Sequence, residues 1–265
     1  LALIAGLWAA LLGRQASAAS DEPPSERPAR SLYEISPITD GAIIAGGALA
    51  TVIPYLFTSS LITPRCPCSV GAVNPFDRRV IGNSSDVADW TSTVTVGLAV
   101  AAPPIADSFL VRDRRVLVED FTVFAQAIAV NSALVTFAKF TAQRPIPRVY
   151  SDPALASNPS NYRSFYSGHT SLTFATLSVA SVTANERYGL TWEPWAVTTV
   201  VGGSVAVERV LAGRHFYSDV LVGAAAGLLV GTTVSWIHLR ERDLRVSAAR
   251  TRDGSGALVL VDGRF

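Results

Sequence analysis

Two of the three histidines in the chain sit inside clusters of cations and carboxylates. The first is Glu208-Arg209-Val210-Leu211-Ala212-Gly213-Arg214-His215-Phe216-Tyr217-Ser218-Asp219. His215 and Asp219 are four residues apart, a spacing that stacks two side chains on one face at the start of a helix. The carboxylate can there accept from Nδ1, which fixes the tautomer, leaves Nε2 free to attack an electrophile and stabilises the imidazolium-like charge that develops. Arg209 lies six residues before His215, and Gly213 permits a tight turn that folds its guanidinium back beside the imidazole. A guanidinium matches phosphate in a bidentate fork, so phosphorus is the natural electrophile.

The second cluster is Tyr166-Ser167-Gly168-His169. Ser167 suits a helix N-cap that accepts from the backbone of Thr170, Gly168 lets an anion approach the helix start, and His169 is aimed at whatever binds there. A second imidazole in that position serves as general acid for a leaving alkoxide. Lys139 ends an apolar run and Arg144 follows five positions later, which places two further phosphate ligands in the same vestibule. Arg148, Tyr150, Tyr162 and Arg163 fall in the loop between and are expected to shape a substrate mouth. His238 stands outside every cluster, with an interfacial position as its expectation. Cys66 and Cys68 are separated by one proline, unlike the spacing of common zinc or redox motifs, and read as loop cysteines, paired or not.

These clusters need elements to hold them, and composition narrows which. The 265 residues carry 22 basic and 21 acidic side chains, a balance that excludes a polyanion-binding surface and hence nucleic acid as a partner. Charged residues make up 16% and mean hydropathy is +0.33, against about 25% charged in soluble domains, so a membrane protein is expected. Residues 1–18 read as a signal peptide or signal anchor, 19–40 as an exposed linker, 41–240 as the helical catalytic domain, and 241–265 as a tail with a β-hairpin. Six helices are expected, at 41–64, 90–106, 121–138, 167–184, 194–211 and 218–238, the second interrupted by Pro103-Pro104. Helices of about 20 residues match a hydrocarbon layer of about 30 Å. The loops 140–166 and 212–217 then fall on one side and the basic segments 112–115 and 240–245 on the other, which puts the motif loops outside the cytoplasm. A cleaved signal followed by six full crossings gives the opposite sidedness. Either residues 1–12 stay as an anchor or outside the bilayer, or one helix, such as 41–64, packs without crossing.

Together these residues resemble the type 2 phosphatidic acid phosphatase (PAP2) superfamily, which includes lipid phosphatases, bacterial class A acid phosphatases and vanadium haloperoxidases. The resemblance runs from Lys139 to Asp219. It is carried by a lysine followed by Arg-Pro, then Ser-Gly-His, then an arginine with a histidine six residues on and an aspartate four beyond. It implies an all-α, six-helix, transmembrane PAP2-type bundle in which His215 becomes a phosphohistidine, Asp219 orients it and His169 protonates the leaving group. Lys139, Arg209 and the Ser167-Gly168 segment would hold the phosphoryl oxygens, with no metal and no cofactor. Three positions depart from the family pattern. Tyr166 replaces a proline, Glu208 a serine, and Ile146, seven residues after Lys139, an arginine; Arg144 or Arg148 is expected to substitute, Arg144 being closer to Lys139. The implied function is hydrolysis of a phosphate monoester or diphosphate of a membrane lipid at the extracytoplasmic face of a bacterial inner membrane. The alternatives are a soluble periplasmic acid phosphatase acting on a small phosphate ester, and a membrane protein that binds phospholipid without turnover.

Overall fold

The structure is a computed structural model that describes residues 31–66 and 68–240, together with the backbone of strands β1 (Arg245–Arg250) and β2 (Ala257–Asp262). The expected signal or anchor at 1–18 and the linker up to residue 30 lie outside the described residues, as does the segment between the two strands. β1 and β2 pair antiparallel, Arg245 opposite Asp262.

The long helices are α1 (Pro37–Leu56), α2 (Asp86–Leu110), α3 (Arg114–Ala142), α4 (Gly168–Tyr188), α5 (Glu193–Leu211) and α6 (Tyr217–His238). Their ends follow from local chemistry. Ser85 Oγ accepts from Ala88 N at 3.2 Å to open α2, and Asp113 accepts from Arg115 N at 2.8 Å to open α3. Gly189, at φ 68°, closes α4 in the left-handed conformation that glycine adopts without strain. The expected interruption of the second helix is not observed, because α2 runs through Pro103 and Pro104 to Leu110. Each proline removes one intrahelical bond without ending the helix, and Ser108 Oγ donates to Pro104 O at 2.8 Å.

Helix α4 is the axis of the fold, with α2, α3, α5 and α6 packed around it. Its Thr170-Ser171, Thr173, Thr176, Ser178, Ser181 and Thr183 are all buried. Thr173, Thr176 and Thr183 satisfy their hydroxyls on carbonyls four residues back, so a polar sequence survives in the interior. Sheathed by protein on every side, α4 has no need of an apolar surface. Among the described residues, the helices long and apolar enough to cross a membrane are α1, α2, the region beginning with α3, and α6. Exposed Leu49, Val52, Leu56, Phe109, Phe137, Leu229 and Trp236 coat their outer faces.

Close approach of α6 to α4 depends on Gly223, Gly227 and Gly231. A Cβ at these positions would sit 2.8, 2.2 and 2.2 Å from the carbonyl oxygens of Ser167, Ser171 and Ala175. The stripe brings the start of α6, with Asp219, against the start of α4, with His169. Ser167 N donates to Asp219 O at 3.0 Å across this junction.

Candidate active site

The two motif loops meet at the end of the bundle where α3 ends and α4 and α6 begin. Arg148 N donates to Gly213 O, and Ser164 N to Arg144 O, at 3.2 and 2.9 Å. Gly213, at φ 62°, is pressed against Asn83, whose carbonyl oxygen would lie 1.9 Å from any Cβ there. Only glycine permits the turn that returns the chain from Arg209 to His215. Between the loops is a cavity of about 230 Å³ lined by Lys139, Gly168, His169, Arg209 and His215, five of the residues expected to touch phosphate, and also by Arg163 and Arg214.

His215 is 4% exposed and its Nδ1 lies 2.7 Å from the Ser164 carbonyl oxygen. A carbonyl can only accept, so Nδ1 carries the proton and Nε2 keeps its lone pair. Asp219 was expected in that place, but its Oδ2 stands 3.9 Å from Nδ1, beyond hydrogen-bonding distance. Its carboxylate accepts instead from Ser164 Oγ at 2.5 Å, Phe216 N at 2.9 Å and Arg144 Nη1 at 2.6 Å. Asp219 is therefore joined to the imidazole through Ser164, whose hydroxyl it holds and whose carbonyl accepts from the ring. Burial, followed by the charges of Lys139 and Arg209, holds the His215 pKa well below that of a free imidazole.

Lys139 is 7% exposed, and its Nζ donates to the Arg163 carbonyl oxygen at 2.5 Å, which leaves two of its protons for an anion. Arg209 Nη1 donates to Asp89 Oδ1 at 2.5 Å and to Ser92 Oγ at 3.1 Å, while its buried Nε has no partner. Arg214 donates from Nε and Nη2 to Asp89 Oδ2, at 2.9 and 2.6 Å. Asp89 thus aligns two guanidinium groups at the cavity. Ser167 caps α4 through Thr170 N at 3.4 Å and, unlike Gly168, is not part of the cavity wall. The His169 ring nitrogen Nε2 lies 3.4 Å from Thr93 Oγ1. Burial, then Arg209 and Lys139, push the His169 pKa down to about 4.

Arg144, expected as a phosphate ligand, does not line this cavity. Its guanidinium joins Asp219 to Asp77, with Nη2 2.8 Å from Asp77 Oδ2 and Nη1 2.8 Å from Ser218 Oγ, and lies 4.0 Å over the Phe216 ring. Arg148, the other candidate substitute, donates from Nε to Ala212 O at 2.7 Å and from Nη2 to Asp86 at 3.0 Å, pinning the loop before His215. The guanidinium groups that do join Arg209 at the cavity are Arg163 and Arg214. The buried Ile146 side chain lines the wall where the family arginine is absent. His238, expected at an interface, is buried near the far end of α6, 3.2 Å from Asp40 Oδ1. Cys66 and Cys68 form a disulfide.

Asp77, Asp89, Ser164 and Arg214 escaped the sequence reading as working residues. Asp77 accepts from Ser218 N, Ser218 Oγ, Asn74 and Arg144. Its burial alone would raise its pKa, yet these bonds, led by Arg144, hold it below the usual carboxylate value. Only for Arg214, adjacent to His215, was a local signal present.

Residues 121–243, which include every cavity cation named above, match the family model described as PAP2 superfamily. That stretch, a little under half of the chain, carries the PAP2 likeness. A 92-residue stretch of this chain, 33% of its length, is 36% identical to the lipid A 1-phosphatase of Porphyromonas gingivalis and covers 19% of it. The match thus spans about a fifth of that curated relative. The crystal structure of Aquifex aeolicus LpxE is similar at 25% identity, with a TM-score of 0.42, over 61% of this chain and 92% of that one.

Proposed function

We propose that this protein is a metal-independent phosphatase of the PAP2 type that hydrolyses a phosphate monoester or diphosphate of a membrane lipid through a phosphohistidine on His215. The observation that carries the reading is the bond from His215 Nδ1 to the Ser164 carbonyl. It makes Nε2 the nucleophilic nitrogen of a residue that lines a cavity together with Lys139, Arg209 and Arg214.

In the first step Nε2 attacks phosphorus in line, the bond from phosphorus to the ester oxygen breaks, and its electron pair leaves on that oxygen, which takes a proton from His169. The imidazolium that results keeps its Nδ1 proton on the Ser164 carbonyl and faces the Asp219 charge. Water then attacks the phosphohistidine, His169 takes a proton from it, and the electron pair of the phosphorus–nitrogen bond returns to Nε2 as inorganic phosphate leaves. Lys139, Arg209 and Arg214 stabilise the equatorial oxygens in both steps. Burial beside Arg209 and Lys139 keeps His169 neutral at pH 7; a bound phosphoryl dianion offsets those charges, raises its pKa and lets it carry the proton it must donate.

A lipid substrate is supported by the apolar helices around the site and by the similarity to a lipid A 1-phosphatase. The active site is assigned to the extracytoplasmic side of a bacterial inner membrane, because Arg112, Arg114, Arg115 and Arg240 crowd the opposite end of the bundle. The test is phosphate release by the purified protein, with EDTA present, from phosphatidic acid, undecaprenyl diphosphate and a soluble aryl phosphate. Release from a lipid that falls at least 10³-fold in His215→Ala is the expected result. Equal release by wild type and His215→Ala would overturn the reading.

A further inference from the structure

A second hollow, also of about 230 Å³, adjoins the phosphoryl cavity and shares Tyr55, Val135, Gly168 and His169 with it. It extends between α1 and α2 across the faces of α3 and α4, past Thr51, Val96, Asn131 and Leu172. Among the long helices α1 packs extensively on α3 alone, whereas α2 lies against α4 and α5. The hollow therefore opens where α1 and α2 part, between helices apolar enough to face hydrocarbon. A lipid with its phosphate among Lys139, Arg209 and His215 would lay the adjoining part of its body here.

The hollow contains one polar demand that the protein does not meet. Asn131 is 1% exposed; its Oδ1 accepts from Ser171 Oγ, and its Nδ2 has no hydrogen-bond partner. An unpaired amide donor is costly where no water replaces the missing acceptor, so a ligand oxygen placed there is rewarded. Asn131 precedes Lys139 by eight residues of α3, a rise of about 12 Å, so that oxygen belongs to the lipid body and not to the phosphate. Acylated lipids carry ester, amide or hydroxyl oxygens in that region. A polyprenyl chain carries none.

Resting on the phosphatase reading, we propose that Asn131 is a specificity residue that donates to a carbonyl or hydroxyl oxygen of an acylated lipid phosphate, so that acylated lipids are preferred over polyprenyl phosphates. The full chain in mixed micelles is compared on phosphatidic acid and undecaprenyl phosphate. The expected ratio of kcat/KM favours phosphatidic acid by about tenfold or more, the worth of one hydrogen bond in an apolar site. Asn131→Leu collapses that ratio about tenfold through KM, and Asn131→Asp, which retains an acceptor for Ser171, does the same if leucine disturbs folding. A ratio unchanged in both variants, or a wild-type preference for undecaprenyl phosphate, overturns the proposal. Absence of turnover on both lipids counts against the phosphatase reading instead. The subsite is then read as binding to His215→Ala: tighter retention of phosphatidic acid that Asn131→Leu abolishes supports it, and equal retention of the two lipids overturns it.

Discussion

Replacing Arg144 by alanine separates two roles for the same guanidinium. A phosphate ligand at the cavity mouth would lose substrate affinity and little stability. The geometry instead makes Arg144 the cation between Asp77 and Asp219, each with a side chain 0% exposed. Removing one member of a buried ion pair costs about 3–5 kcal/mol, because the partner charge is left without compensation. The Arg144 side chain is 23% exposed, so water screens part of the loss and the lower end, about 3 kcal/mol, is expected. At about 2–4 °C per kcal/mol, Arg144→Ala should lower Tm by roughly 6–12 °C. Adding Asp77→Asn removes one of the stranded charges and should restore part of the loss, with a coupling of about 1–3 kcal/mol in the double-mutant cycle. The deficit should also shrink towards pH 5, where a stranded carboxylate can protonate. The assay is thermal unfolding in detergent at pH 7 and pH 5, alongside KM for the lipid substrate. A Tm within about 2 °C of wild type together with a raised KM would refute the reasoning and return Arg144 to the phosphate.

Two further outcomes follow from other parts of the site. Gly227→Ala places a methyl group 2.2 Å from the Ser171 carbonyl oxygen, so α6 must move off α4; a stability loss of about 1–3 kcal/mol with a fall in kcat is expected, while Gly203→Ala, where a Cβ meets nothing within 4 Å, leaves both unchanged. The depressed pKa of His215 makes the ligand-free protein sensitive to acid. Above about pH 6.5 the imidazole is neutral both folded and unfolded; below it the unfolded chain binds a proton that the folded chain refuses, so stability falls with pH, by up to about 1.4 kcal/mol per unit. Thermal unfolding from pH 7.5 to 5 should show this slope in wild type and a shallower one in His215→Asn, whereas identical slopes would remove His215 as its source.

Sequence was informative where chemistry and spacing are local. Lys139, Gly168, His169, Arg209 and His215 were singled out by residue type and by interval, and the structure places all five around one cavity. The glycine between Arg209 and His215 announced a turn, and the left-handed Gly213 supplies it. Interval failed where the partner comes from far along the chain. A His and an Asp four residues apart suggest a direct bond, but Asp219 is drawn away by Ser164, Arg144 and Phe216 N, and the imidazole takes a carbonyl that no side-chain pattern can reveal. Asp77 and Asp89 lie ahead of the family-like region and reach the site only because the segment before α2 folds over the loop of Gly213. Arg144 looked like a phosphate ligand because nothing near it in sequence showed that Asp77 would occupy it. Apolar length behaved similarly: it treated six helices alike as spans, and could not show why the Ser- and Thr-rich α4 becomes the centre of the bundle while α1, α2, α6 and the region beginning with α3 carry the apolar surface.

The most direct test of the account is to find the phosphoryl group on the enzyme. Wild-type protein is mixed with a radiolabelled lipid phosphate, quenched in alkali within the first turnover, and digested for peptide mapping. A base-stable, acid-labile label on the peptide containing His215, absent from His215→Ala, is the predicted result. Steady phosphate release with no label on that peptide at any quench time, or with the label on another residue, would contradict nucleophilic attack by His215.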